Sequence, residues 1–422
     1  MAALLGAVAS PVFAAGDLTK TSDGYTYFNR PGADRPAHDA AVRQCRAIAS
    51  QLHQPAPTGP GTSVVMPAGV SPVAGGVGAA IGIAIAMAIQ QSIADHKGQP
   101  VNVENCMVTM GWRVVALDET EGKAIVALKP EEKSAQLASW IGAEAPHGAV
   151  VRTFANDAAI ADQQQLFAPA KHLGVAVSAD LVTKPKGKET PAAQPLPAYA
   201  PRPAVKPPKM AAAAKPPKPL TDAELGGVPA DSGLIVVNVR GDAEVAVTLQ
   251  RIGSDPAMPA WVDGRPGEIT VARPPKAYAK AGAAEGTTYV YAVPPGRWRL
   301  ESVSVNYVPL SFCLGGPAFD LAAGEAVYAG SFEPKRVVPD MALEPAKAAI
   351  PALSPVAEKL RPANWVNGTQ AQCRGTYLYA LELPDRPYVD GYALGTHAQA
   401  LSVAAPAPPA PAASPVTPAG DH

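Results

Sequence analysis

Cysteine and histidine are the residue types from which metal sites, redox centres and nucleophiles are most often built, and this chain uses them sparingly. Its 422 residues hold four cysteines: Cys45, Cys106, Cys313 and Cys373. No CxxC pair and no Cys/His cluster at metal-ligand spacing occurs, so metal binding has no pattern to rest on. The chemistry left to these thiols is oxidation. Four cysteines allow three pairings. A Pro/Lys-rich stretch divides them two and two, which favours Cys45–Cys106 and Cys313–Cys373. Loops of that length would stabilise by roughly 4 kcal/mol each on the chain-entropy model. The rival reading is four buried free thiols, which suits a reducing compartment.

The seven histidines, His38, His53, His96, His147, His172, His397 and His422, are scattered. None stands beside a Ser or Cys in a nucleophile motif, and each reads as a surface histidine. The glycines near Gly75 form no phosphate loop, because no Lys-Ser/Thr follows. Asn367-Gly368-Thr369 matches a glycosylation acceptor, but Asn-Gly also makes turns, and the turn is the favoured reading. No catalytic residue, metal or cofactor is expected, and the chain reads as non-enzymatic. A hydrolase would need polar groups that converge only in three dimensions. The net charge of −1 offers no general field for nucleic acid.

The most distinctive stretch is Val73–Ile89, VAGGVGAAIGIAIAMAI. Ala74, Gly78, Gly82 and Ala86 recur every four residues and would form one smooth stripe on a helix. Such a stripe lets a second helix backbone approach closely. Gly costs roughly 1 kcal/mol against Ala in an exposed helix, so several of them suggest that close packing offsets the penalty. Three readings remain open: a buried or self-associating helix in a soluble body, a single membrane span, and a re-entrant or surface-inserted hairpin. The run sits near the lower length limit for a span. An intramolecular Cys45–Cys106 bridge and a simple span exclude each other, since a span would separate the two thiols.

Around this stretch the chain divides into segments. Met1–Ala14 has the apolar core and small-x-small ending of an export signal, without the usual basic start. Residues 17–182 read as a small helical unit around the zipper run. In it Ala37–Leu52 forms a helix with Asp34 at the cap and Ala41, Cys45, Ile48 and Leu52 on one face. Trp112–Leu117 and Ala124–Leu128 read as a short hairpin, Glu131–Ile141 as a helix, and Val150–Phe154 and Leu173–Val177 as further strands. Residues 183–233 are a Pro/Ala/Lys-rich linker, part of the reason for 47 prolines in all; too few large apolar residues are present to offset ordering.

Residues 234–398 read as an antiparallel β-sandwich with a helical insertion. Expected strands are Leu234–Val239, Glu244–Ile252, Glu268–Ala272, Thr287–Val293, Gly296–Val305, Glu325–Phe332 and Thr376–Leu383. The alternation slips between Leu300 and Val303, which implies a bulge at Glu301–Ser302. Pro345–Leu360 is a helix broken by Pro351 and Pro355. Residues 399–422 read as a disordered tail. The whole is an α+β multidomain chain, and its β unit is expected to fold alone.

Cys45 in RQC, the Gly-rich run and NCM–GWRVV at Asn105–Val115 together resemble bacterial glycine-zipper envelope proteins, with a cysteine on either side of the zipper. The stretch from YAVPPGRWRLESV to FDLAAGEAVYAG, about Tyr289–Phe332, resembles secreted bacterial β-sandwich domains. These resemblances imply an exported protein of the periplasm or cell envelope with an outer-membrane association. Its partners would be itself or another envelope protein through the zipper, and the membrane. The other class of reading is an extracytoplasmic binding module for a glycan or protein. Exposure of Tyr289, Tyr291, Trp298 and Tyr307 on one sheet face would favour that module.

Overall fold

The helix expected over Ala37–Leu52 is present as α1 (Arg35–Ser50). Asp34 caps it, its Oδ1 accepting the Ala37 amide at 2.8 Å. Ala41, Cys45 and Ile48 are buried on its inner face, as their spacing requires. The computed structural model describes residues 24–50, 101–154, 175–182, 218–240, 245–252, 261–262, 265–272, 286–305, 308–333, 336–350, 354–373 and 377–403. The export signal, the zipper run with Ala74, Gly78, Gly82 and Ala86, most of the Pro/Lys stretch and Tyr307 lie outside the described residues.

The N-terminal unit is built on a four-stranded sheet in the order β3-β2-β1-β4. Its strands are β1 (Tyr25–Asn29), β2 (Arg113–Leu117), β3 (Ala149–Arg152) and β4 (Val175–Ala176). Strand β2 does not pair with Ala124–Leu128. Its partners are β1, with Tyr27 opposite Val115, and β3. The second arm of the expected hairpin is instead helix α3 (Glu119–Ala127). The reason is local: Asp118 Oδ1 accepts the Glu121 amide at 2.8 Å, and Glu119 and Glu121 lie in the first turn beside the positive helix end. Helix α4 (Pro130–Ile141) follows as expected and buries Leu137 and Ile141.

Residues 101–109 form a helix, α2, that no sequence pattern pointed to, and all nine are buried. The disulfide Cys45–Cys106 holds α2 to α1 with Cα atoms 5.5 Å apart. No helix among the described residues is long and apolar enough to cross a membrane.

The C-terminal unit carries two larger sheets. One has the order β10-β5-β13-β14, with β15 also on β13. It comprises β5 (Gly233–Val239), β10 (Thr287–Val293), β13 (Ala326–Glu333), β14 (Arg336–Asp340) and β15 (Leu360–Pro362). The other has the order β16-β12-β11-β6-β9, with β17 also on β12. It comprises β6 (Val245–Arg251), β9 (Glu268–Ala272), β11 (Gly296–Val305), β12 (Val308–Leu321), β16 (Val366–Thr369) and β17 (Tyr377–Ala380). A short pair, β7 (Trp261–Val262) and β8 (Arg265–Pro266), stands apart.

Ile235, Val237 and Val239 of the first sheet share a core with Val247, Leu249, Ile269 and Val271 of the second. Leu234 and Val236 point the other way, into a smaller core with Ala346, Ile350 and Val356. Those last three lie on or beside two short helices, α6 (Glu344–Ala349) and α7 (Pro355–Lys359), the insertion broken by prolines as expected. With both faces covered, β5 is buried throughout. That explains a departure from the expected antiparallel arrangement: β5–β13, β13–β15 and β12–β17 are parallel, so the sheets are mixed.

The bulge lies where the alternation slips, the register of β11 jumping from Arg299 to Ser302 against β12. Strand β12 itself was hidden by Pro309, Gly315, Gly316 and Pro317. Gly315 sits there because the Tyr392 hydroxyl presses on it; a Cβ would lie 2.1 Å from that oxygen. The second disulfide, Cys313–Cys373, ties β12 to the turn after β16. The Asn367-Gly368-Thr369 triplet is neither an exposed acceptor nor a simple turn. Asn367 is buried in β16, its amide bonded to both the N–H and C=O of Leu383.

Two boundaries also move. Leu225, inside the stretch read as linker, is buried against the first sheet, and the Leu220 amide bonds to Val290 O at 2.7 Å. Helix α8 (Thr396–Val403) runs into the stretch read as tail.

Candidate functional site

Two polar clusters in the described residues have the residue types from which function is built. The first centres on His38, read from sequence as a surface residue and in fact fully buried. It lies one turn into α1, so its ring falls against the sheet with Ala41 and Cys45. Its Nδ1 is 2.8 Å from Asp39 Oδ1, and its Nε2 is 3.1 Å from Ser178 Oγ. Ser178 is on helix α5 (Val177–Asp180), immediately after β4. Carboxylate, imidazole and hydroxyl thus stand in the order of an acyl-transfer triad.

The surroundings deny it that chemistry. Ser178 is fully buried, and its Oγ accepts the Phe28 amide at 3.1 Å, where a nucleophile would face substrate. The His38 ring meets Trp112 edge-on at 5.4 Å and Phe28 at 6.3 Å. Burial lowers the His38 pKa, against the raising influence of Asp39. For Asp39 burial is the largest single effect and raises the pKa. The bonds from His38 and Arg35 outweigh it and hold the carboxyl below its usual value. The array is a structural brace joining α1, β1 and α5. A fluorophosphonate probe, read by intact mass, is expected to leave the native protein unlabelled at Ser178. An adduct there would restore the hydrolase reading.

The second cluster lies where the two units meet, around α2. Asn102 Oδ1 accepts the Leu378 amide at 2.9 Å, and Asn105 Nδ2 donates to Leu378 O at 2.9 Å. Two side chains three residues apart on one helix therefore serve the backbone of β17 as a neighbouring strand would. Arg152 Nη1 is 2.5 Å from Glu104 Oε1, and its Nη2 donates to Asn105 Oδ1 at 2.6 Å. The guanidinium carbon is 5.9 Å from the centroid of the Tyr379 ring. Burial lowers the Arg152 pKa, but Glu104 and Tyr379 more than reverse this, so the net shift is upward and the group stays charged.

Phe154 stacks on Tyr379 at 5.6 Å, Gln399 Nε2 donates to Phe154 O at 2.7 Å, and the Gly395 amide bonds to Thr109 O at 2.8 Å. The two units are in contact, not held apart by a spacer. Glu382 anchors the loop before α8 through Thr396, whose hydroxyl and amide both donate to it, and through Tyr388 at 2.9 Å. Gly395 (φ 61°) makes room for that carboxylate, since a Cβ there would lie 2.0 Å from Oε1.

All four cysteines singled out in the sequence are bonded in the two expected pairs. Of the aromatics whose exposure would favour ligand binding, Tyr291 and Trp298 are buried and Tyr289 is half-buried. Among the described residues no group of three or more His, Cys, Asp or Glu could hold a metal. Sequence reading missed Asn102, Glu104 and Asn105, although three polar residues inside the apolar VNVENCMV were a usable signal of a buried polar contact. No family model, no curated protein and no solved structure matches this chain.

Proposed function

We propose that the chain is an exported, non-enzymatic structural or assembly protein of the cell envelope, whose folded body carries the zipper run as its association element. The observation that carries the proposal is the Cys45–Cys106 bridge. Ser50 and Val101, the described residues that flank the run, are each five residues from a bridged cysteine. At 1.5 Å per helical residue, and with the bridged Cα atoms 5.5 Å apart, these two points lie within about 20 Å of each other. A chain tethered so at both ends does not make one simple crossing, which would leave its flanks on opposite sides of the bilayer. Close packing against a second copy or another envelope protein, or shallow hairpin insertion, suits the tether.

The two disulfides support an oxidising compartment, which fits export to the periplasm or cell surface. In this reading the two facing sheets form a β-sandwich with one helical cover, joined to the N-terminal unit through α2. The polar groups around α2 are engaged in that join, which fits a structural role better than ligand recognition.

The test is a bulky residue in the stripe. Gly82→Leu would raise helix propensity by roughly 0.8 kcal/mol, so helix formation alone should not suffer. Overfilling a close contact costs about 1–3 kcal/mol, which would appear as lost assembly in sedimentation velocity and a changed envelope fractionation. Ile85→Leu, off the stripe, is the matched control. If Gly82→Leu behaves as the control in assembly, fractionation and thermal stability, the stripe is not a contact and the proposal fails.

A further inference from the structure

His38 is held by three elements at once, and one proton arrangement satisfies all of its bonds. Ser178 Oγ already accepts the Phe28 amide. The oxygen has a second lone pair, but its hydrogen needs an acceptor, and among the described residues His38 Nε2, 3.1 Å away, is the one in reach, so the imidazole proton sits on Nδ1 facing Asp39 Oδ1 at 2.8 Å. This arrangement requires a neutral ring. We propose that His38 is an acid-sensitive latch: a proton taken up at Nε2 turns that nitrogen from acceptor to donor, leaves the buried Ser178 hydroxyl hydrogen without its acceptor, and frees β4 and α5 from α1 and β1.

Asp39 on α1 offsets the new charge, but it cannot supply an acceptor for the displaced Ser178 hydrogen. The other charged groups near the ring are cations. Arg35 and Arg46 on α1 both disfavour the imidazolium. Arg30, beyond β1, lies 4.5 Å over the Trp112 ring that His38 meets edge-on. Ser178 faces the ring from α5, and Phe28 and Trp112 face it from β1 and the start of β2, adding no carboxylate. Arg46 also donates to Ala179 O and Val182 O, so the same helix end is held at two points.

The sign follows from burial. In the unfolded chain His38 titrates near 6.5, and in the folded chain it titrates lower. Stability is therefore full above about pH 6.5 and falls as pH drops below it. The limiting slope is one proton, about a tenfold rise in the unfolding constant per pH unit. The slope flattens once the folded-state pKa is passed. Asp39 contributes only near and below its ordinary pKa of 3.8, and the unit from pH 6.5 to 5.5 lies above the ordinary range of the other carboxyl groups too.

The experiment uses the full oxidised chain. Urea unfolding is measured from pH 7.5 to 4.5, with hydrogen exchange of residues 175–182 corrected for the intrinsic pH dependence. The unfolding constant should rise up to about fivefold from pH 6.5 to 5.5, with faster exchange in that segment, and His38→Gln should remove the slope. Should His38→Gln fail to fold, the His38 ring is titrated by NMR in the unmodified chain. An unchanged acid slope in His38→Gln, equal corrected exchange at both pH values, or a folded-state His38 titrating at or above 6.5 would each overturn the latch.

Discussion

Arg152→Ala should destabilise the protein by about 3–5 kcal/mol, the usual cost of stranding one member of a buried ion pair. Glu104, only 2% exposed, would lose the cation 2.5 Å away. The same substitution removes the donor to Asn105 Oδ1 and the cation beside the Tyr379 ring, so three contacts at the junction are lost together. A Glu104→Leu/Arg152→Met double variant should recover part of the loss, because no uncompensated charge remains. Urea denaturation at neutral pH measures both. A cost below about 1 kcal/mol for Arg152→Ala would place the pair in the class of screened surface bridges, and the junction would then rest on the asparagines.

Replacing Cys45 and Cys106 together by Ala should cost about 4 kcal/mol, as expected for a bridge spanning 61 positions. The loss would reach beyond the bond. Helix α2 carries Asn102, Glu104 and Asn105 on the same short segment as Cys106, so freedom between α1 and α2 loosens the grip on Leu378. Urea denaturation gives the stability change, and peptide mapping of the unmodified chain should return Cys45–Cys106 and Cys313–Cys373. A cross-linked Cys45–Cys313 peptide would contradict the pairing, and an unchanged urea midpoint would show that the tether constrains little.

Much of the fold was legible because it is local. The Cys45–Ile48 face of α1, the bulge in β11 and the proline-broken insertion all declare themselves within a dozen residues. Both disulfides followed from a division of the chain into two units. What stayed hidden was of two kinds. Some segments carried misleading local signals: β12 contains two prolines and a Gly-Gly pair, and Ala124–Leu128 looks extended until the Asp118 cap is seen to start a helix. The rest depends on long-range contact. Nothing near His38 announces Ser178, which lies 140 positions away, and β5 differs from an ordinary half-exposed strand only because helices cover its second face.

The grip of α2 on β17 also sets an order of events. Asn102 and Asn105 meet a residue made more than 270 positions later, and Thr109 waits for Gly395. At about 5–20 residues per second, the N-terminal half exists for roughly 15–50 s before its partner strand has been synthesised. Throughout that interval the polar face of α2 must stay solvated or shielded, and the backbone edge it will cover does not yet exist. A unit made early is thus finished late, and the stretch from Leu378 to Gly395 acts as the closing piece of residues 102–109.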